Sequence, residues 1–237
     1  MSFYAISDLH GYPLDKFKAL LAEAGFCAED TLYIIGDVID RNGDGGVELL
    51  RYITEQPNFE FILGNHEDML LACEFVFEEI TDDSIETLTP ENTRALERYL
   101  RNGGGVTLES LGRLKREEPQ AFSELMLFLK EAPLIGAVTA AGRDFLLVHG
   151  GFNGFEKSKK LSDYSAYDLL WARPTLETRY FEDIMTVIGH TPTFYLGEQY
   201  RGSIVKTDTF INIDAGASIG LAPALLRLDD LAEFYGE

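Results

Sequence analysis

Cysteine is scarce in this chain, with only Cys27 and Cys73, far apart and outside every motif. Two such residues give no disulfide framework and read as buried free thiols. Basic side chains are also few: 20 Lys and Arg stand against 40 Asp and Glu, for a formal charge of −20. That balance excludes nucleic acid as a routine partner, because binding a phosphate backbone requires a Lys/Arg surface. It leaves a phosphate ester open, since surface charge is screened beyond ~8 Å and a bound cation dominates its own surroundings. No apolar run approaches the ~18 residues of a membrane span, so no membrane partner is expected. The start of the chain has no basic segment followed by an apolar core, and a cytoplasmic protein is expected. With no linker or low-complexity tail, the 237 residues read as one α/β domain.

What the chain does have is a repeated strand-end device. In TLYIIGDVIDRN (31–42) an apolar run stops at Gly36 and Asp37, with Asp40 and Arg41 close behind. A strand ending in Gly-Asp sets a carboxylate at the rim of a sheet, where α/β proteins gather their ligands. FYAISDLHG (3–11), FEFILGNHE (59–67), FLLVHGG (145–151) and MTVIGHTP (185–192) repeat the pattern. The four histidines, His10, His66, His149 and His190, all fall just past one of these runs. Residues 210–213 end in Asp214-Ala215-Gly216, the same device without a histidine, and Asp214 reads as a turn or supporting residue.

Between the strands, residues 14–24 and Val47–Thr54 keep helical spacing. Alternation of strand and helix implies a largely parallel sheet. From 68 to 132 the chain turns helical without a clear strand, which reads as an insertion beside the site, either a lid or a docking surface. The acidic run EEITDDSIE (78–86) reads as a solvated helix end or loop. Three glycines at 103–105 could bring backbone close to a ligand or form a flexible joint, and composition favours the joint.

The strand-end inventory is two carboxylates (Asp8, Asp37), three imidazoles (His10, His149, His190) and one amide (Asn65). Mixed oxygen and nitrogen donors without thiolate suit Mn²⁺, Fe or Zn²⁺ rather than a structural zinc cage. They can hold two ions if one carboxylate bridges, and two cations ~3.5–4 Å apart would acidify a bridging water and clamp phosphate oxygens. Arg41 and Arg173 could neutralise those oxygens. His66 is the candidate general acid, with Asp40 orienting it and raising its pKa. Plainer readings stand beside these. Asn65 could cap a helix, Asp40 could simply pair with Arg41, and Arg173 could pair with Asp168 or stack on Trp171.

The ordered series Asp8-Leu-His10-Gly11, Gly36-Asp37-Val-Ile-Asp40-Arg41, Gly64-Asn65-His66-Glu67, His149-Gly150-Gly151 and Gly189-His190 resembles the calcineurin-like metallophosphoesterases. Within them it resembles the PPP family of Ser/Thr protein phosphatases. RYLRNGGGVTLESL (98–111) is similar to a segment of bacterial and phage members of the bacteriophage lambda phosphatase kind, which moves residues 103–105 towards an active-site wall. Ser7 and Asn42 depart from the glycines usual in the pattern, and neither is a ligand position.

The resemblance implies two packed mixed β-sheets flanked by helices, with metals at the strand ends. It implies Asp8, His10 and Asp37 as ligands of one metal and Asp37, Asn65, His149 and His190 as ligands of the other, with Mn²⁺ the expected ion. Asn65 also falls beside the phosphate. His66 and Asp40 match the proton-donating pair, Arg41 the phosphate-binding arginine and, more loosely, Arg173 a second one. The implied reaction is direct attack of a metal-bridging hydroxide on phosphoserine or phosphothreonine in a protein, with phosphotyrosine or a small phosphoester also open. The alternative keeps the site but takes a symmetrical diadenosine tetraphosphate, and GNHE with the Asn-Gly-Gly segment leans away from it.

Overall fold

Two five-stranded sheets pack face to face. The structure is a computed structural model that describes residues 1–79, 81 and 88–237. Most of the acidic run 78–86 lies outside the described residues. The first sheet is built on β1 (Phe3–Ile6), β2 (Thr31–Ile35) and β3 (Phe59–Ile62), which run parallel with Ile6 beside Ile34 and Ile35 beside Ile62. The second is built on β4 (Ile135–Ala140), β5 (Arg143–Val148), β6 (Met185–Ile188), β7 (Val205–Lys206) and β8 (Phe210–Asn212). There β5, β6 and β8 run parallel, while β4 and β7 flank them antiparallel. The C-terminal β9 (Ala224–Arg227) and β10 (Glu233–Tyr235) return to the first sheet as antiparallel strands beside β1.

The largely parallel sheet expected from the alternation is therefore two mixed sheets, as the resemblance implied: the first is parallel along its β1–β2–β3 side and the second at its centre. The antiparallel β4–β5 hairpin turns at Ala141-Gly142, where both residues have positive φ. Continuous apolar strands arise because both faces are covered. Ala5, Ile35 and Ile62 point inward to meet Leu147, Val187 and Ile211 of the second sheet. Ile6, Ile34 and Phe61 point outward under the helices.

Those helices are α1 (Leu14–Glu23), α2 (Val47–Thr54), α3 (Asn65–Leu71), α4 (Pro90–Arg101), α5 (Gly105–Glu117) and α6 (Pro119–Glu131). Phe17 and Leu20 of α1 and Leu49, Leu50 and Ile53 of α2 keep the spacing of one apolar face and are buried on the sheet. Residues 68–132 contain α4, α5 and α6, and Tyr99, Leu111, Leu114, Leu125 and Leu129 join them to the same core. A short α7 (Ala166–Leu170), capped by Ser165, lies over the second sheet with Leu169 in its outer core.

Cys73 is buried as expected, but Cys27 is exposed. Gly25 ends α1 with φ +72°, and the turn that follows directs the Cys27 N–H and thiol onto the buried Asp30 while leaving Cys27 itself exposed. Among the described residues no helix is long and apolar enough to cross a membrane.

Candidate active site

Every strand-end side chain of interest converges where the C-terminal ends of the two parallel triads meet. The backbone there is unusual. Of eight non-glycine residues with positive φ among the described residues, six are Asp8, His10, Asp37, Asp40, Arg41 and His190. Left-handed backbone costs an L-residue about 1–2 kcal/mol, so each must be held in place. The loops after β1 and β2 hold each other. The Asp8 N–H donates to the Gly36 carbonyl (3.0 Å), His10 to Asp37 (2.9 Å) and Gly11 to Val38 (2.8 Å).

Glu67, fully buried, fastens the same loop from α3. Its carboxylate accepts from the N–H groups of Asp37 (2.9 Å), Val38 (2.9 Å), Ile39 (3.3 Å) and Gly64 (3.1 Å). Glycine precedes these side chains for lack of room. A Cβ on Gly36 would stand 2.4 Å from the Gly64 Cα, and one on Gly189 would stand 2.1 Å from an Asp8 oxygen.

Asp37 is the centre. Its Oδ2 lies 3.8 Å from His10 Nε2 and 3.9 Å from His66 Nε2, and its Oδ1 lies 3.3 Å from His149 Nε2. Asp8 approaches His10 Nε2 at 3.9 Å and accepts from the His190 N–H at 2.9 Å. Two groups of side chains could each hold a metal ion, His10–Asp37–His66 and Asp37–His149–His190, and they share Asp37. Asn65 joins the second group, its Oδ1 2.9 Å from His149 Nε2.

The donor set fits cations on two counts. First, His10 and His149 turn Nδ1 onto the carbonyls of Ile39 (3.1 Å) and Ile35 (2.8 Å), so Nδ1 carries a proton and Nε2 of each ring is the atom that faces Asp37. Second, His190 Nε2 is buried without a partner.

Electrostatics agree. Burial lowers the pKa of His10 to about 3 and of His190 to about 2, leaving neutral imidazoles, the form that binds metal. Burial also disfavours a charged His149, but the Asp37 carboxylate outweighs it and lifts the ring to about 10. Burial pushes Asp8 up to about 6, with the charge of Asp37 adding to the rise. Burial likewise holds Asp214 well above the usual carboxylate range, reinforced by Asp8. For Asp37 the three facing imidazoles overcome burial and keep it well below that range. Several carboxylates packed this closely call for compensating positive charge.

Around this centre lies a cavity of about 550 Å³, lined by Asp8, His10, Asp37, Arg41, Asn65, His66, Arg173, His190 and Asp214 among others. His149 sits behind the lining, fully buried. His66 Nδ1 is 2.6 Å from Asp40 Oδ2, and its Nε2 is 3.2 Å from Arg41 Nη2. Burial works against a charged His66, but Asp37 and Asp40 raise its pKa above the ordinary value. Arg173 donates to the Thr191 hydroxyl at 3.3 Å instead of pairing with Asp168, which caps α7 through Ser165. Arg98, not Arg173, lies over Trp171, at 4.1 Å.

The structure thus brings all ten sequence-singled residues to one place, and it adds residues that sequence reasoning missed. Tyr99 and Thr107 donate to Asp40 from α4 and α5. Between those helices Gly103 accepts the Arg41 N–H at 3.2 Å, and Asn102 reaches the cavity. Residues 103–105 are therefore a helix joint that also borders the site. The RNGGG segment was the available signal for that region. The outer rim, Phe194, Tyr195, Leu196 and Ile219, carried no motif.

Comparison with known proteins gives consistent results. A family model described as calcineurin-like phosphoesterase matches residues 1–212. A symmetrical bis(5'-nucleosyl)-tetraphosphatase of Acidovorax sp. (strain JS42) is 30% identical over 152 residues, covering 64% of this chain and 44% of the relative. The chain therefore matches less than half the length of that relative. Among solved structures, one titled as a candidate diadenosine tetraphosphatase aligns over 98% of this chain and 91% of its own, at TM-score 0.65 and 14% identity. A cold-active protein tyrosine phosphatase aligns over 98% of this chain and 76% of its own, at TM-score 0.59 and 16% identity. At such identities the two structures speak for the fold.

Proposed function

The chain belongs to the calcineurin-like phosphoesterases, and we propose that it hydrolyses the central phosphoanhydride of a dinucleoside tetraphosphate. The observation that carries the chemistry is the sharing of Asp37 between two ligand groups. With His66 held by Asp40, Asp8 would take its place in the first group, so that Asp8, His10 and Asp37 would hold one divalent cation and Asp37, Asn65, His149 and His190 the other, with manganese, iron or zinc suited to these donors. When bound, the two ions would acidify a shared water and clamp the phosphate oxygens.

The chain's own side chains do the rest. Arg41 and Arg173 reach into the cavity from opposite halves of the molecule and offer planar donor forks to a phosphate. Arg41 now donates to His66 Nε2; turning its fork onto the phosphate frees Nε2 to carry a proton. Water oxygen bonds to phosphorus, the bond to the leaving oxygen breaks, and that oxygen takes the electron pair and the His66 Nε2 proton. Nδ1–H stays on Asp40, which keeps the ring oriented.

The dinucleotide is favoured by the activity named for the Acidovorax relative and by the rim. Tyr195, 70% exposed, stands at the cavity mouth with its ring 4.4 Å from that of Phe194. An open aromatic face of this kind stacks a nucleobase. A second reading, hydrolysis of phosphoserine or phosphothreonine in proteins, is supported by the Asp40-Arg41 pair and by the 98–111 segment set against it.

The deciding measurement is kcat/KM with Mn²⁺ for diadenosine tetraphosphate against a phosphothreonine peptide. Preference for the dinucleotide is expected. Preference for the peptide keeps the site and moves the protein to the second reading, and metal binding without turnover of either would overturn both.

A further inference from the structure

Asp40, the carboxylate of the proton-donating pair, has no exposed surface. One oxygen, Oδ2, faces His66 Nδ1 at 2.6 Å. The other, Oδ1, accepts two hydroxyls, from Tyr99 at 2.7 Å and from Thr107 at 2.6 Å. Thr107 also accepts the Asp40 N–H at 3.1 Å, so a single side chain fixes both the backbone and the carboxylate of this residue. Tyr99 and Thr107 have no exposed surface either, so water does not compete for these bonds. Both residues lie on the helices between β3 and β4, 59 and 67 positions from Asp40.

We infer that Tyr99 and Thr107 are positioning residues for proton delivery: they pin one Asp40 oxygen so that the other holds His66 aimed into the cavity. A carboxylate swings about its Cα–Cβ and Cβ–Cγ bonds unless both oxygens are engaged. With Oδ1 held twice, Oδ2 has one direction, and it sets the plane of the imidazole. Asp40 and Arg41 have φ of +78° and +72°, and the same insertion steadies that strained turn through the Gly103 carbonyl. Burial and the neighbouring Asp40 push the Tyr99 phenol far above its ordinary pKa, so it stays a donor at any working pH. The helical insertion is then part of the catalytic apparatus, as the outer support of its general acid. This inference rests on the phosphoester reading of the site and on His66 as the proton donor.

The test uses leaving groups. An alkyl phosphate needs a proton on its departing oxygen, whereas p-nitrophenolate leaves without one. The full chain loaded with Mn²⁺ is assayed on phosphoserine and on p-nitrophenyl phosphate as wild type, Tyr99→Phe, Thr107→Val, the double variant, Thr107→Ser and His66→Asn. General acids contribute about 10²–10⁴-fold, and loss of their support should cost a part of that. The double variant is expected to lose about 10-fold in kcat on phosphoserine and distinctly less on p-nitrophenyl phosphate, with KM and metal content held. Thr107→Ser, which keeps the hydroxyl, should restore most of the loss seen in Thr107→Val. An equal loss on both substrates, a loss of metal, or no loss at all would overturn the positioning role. His66→Asn separates the two levels. If it shows the leaving-group selectivity and the double variant does not, the inference fails alone. If His66→Asn shows none, the proton-donor reading fails, and the inference fails with it.

Discussion

The two sheets share a plan but divide the labour. Each has three adjacent parallel strands and delivers side chains from their C-terminal ends. The first sheet and its loops supply Asp8, His10, Asp37, Asp40, Arg41, Asn65 and His66, and five of the six left-handed site residues. The second supplies His149, His190 and Asp214, with only His190 left-handed. The second half also supplies Trp171, Arg173, Phe194, Tyr195 and Ile219, which make up most of the cavity's outer wall. Charge and backbone strain are thus concentrated in one half, and the surface a substrate meets beyond its phosphate comes mainly from the other. Such a division lets the reaction stay fixed while the substrate changes, because rim side chains can vary without disturbing the strained loops.

The hardest way to break this arrangement is at Asp37. Asp37→Asn removes the one carboxylate that, among the described residues, faces His10, His66 and His149 together. We expect kcat to fall by about 10³-fold or more, the scale of removing a principal electrostatic stabiliser. Metal analysis should show loss of at least one ion while circular dichroism is retained. Near-normal turnover would mean that the two ligand groups do not act as one centre.

Stability sharpens the comparison. Gly36 and Gly142 have nearly the same φ, +72° and +78°, yet a Cβ on Gly36 strikes the Gly64 backbone and His149, while one on Gly142 meets nothing within 4 Å. Gly142→Ala, in the β4–β5 turn, should therefore cost only the left-handed penalty of about 1–2 kcal/mol. Gly36→Ala should cost more than about 3 kcal/mol, because the strand ends must separate. Chemical denaturation of the two variants measures the difference. Equal losses would show that crowding between the strand ends contributes nothing.

These contrasts also explain what could be read from the sequence. Gly36-Asp37, Gly64-Asn65-His66 and Gly189-His190 were legible because close approach demands glycine at a strand end and the chemistry demands the residue beside it, so both signals fall in one short motif. Val47–Thr54 matched its helix to the residue because its apolar positions lie on one face. Tyr99 and Thr107 were not legible. A hydroxyl on a helix looks like any other until the fold brings it to Asp40 from a distant segment. The outward turn of Cys27 depended on Asp30 accepting both its N–H and its thiol, which no periodicity records. The alternation of strand and helix alone pointed to a largely parallel sheet, and the mixed sheets came from the resemblance: β9 joins β1 antiparallel only through long-range register, which no local pattern records, whereas β4 joins β5 through a two-residue turn.

The smallest effect probes the rim. Tyr195 is largely exposed, and its neighbour Phe194 is backed by the Arg201 guanidinium at 4.6 Å, which stiffens the pair without closing the outer face. Stacking one base on an aromatic ring is worth about 1–3 kcal/mol, so Tyr195→Ala should raise KM for diadenosine tetraphosphate by about 10-fold. Because Tyr195 bears on no strand-end ligand, kcat should hold within about twofold, the signature of binding lost equally from ground and transition states. The phosphothreonine peptide should respond less. If KM rises equally for both substrates, the rim is a general apolar lip and not a base platform. If it rises for neither, specificity lies elsewhere, and the division between a chemical half and a recognising half gives way first at this residue.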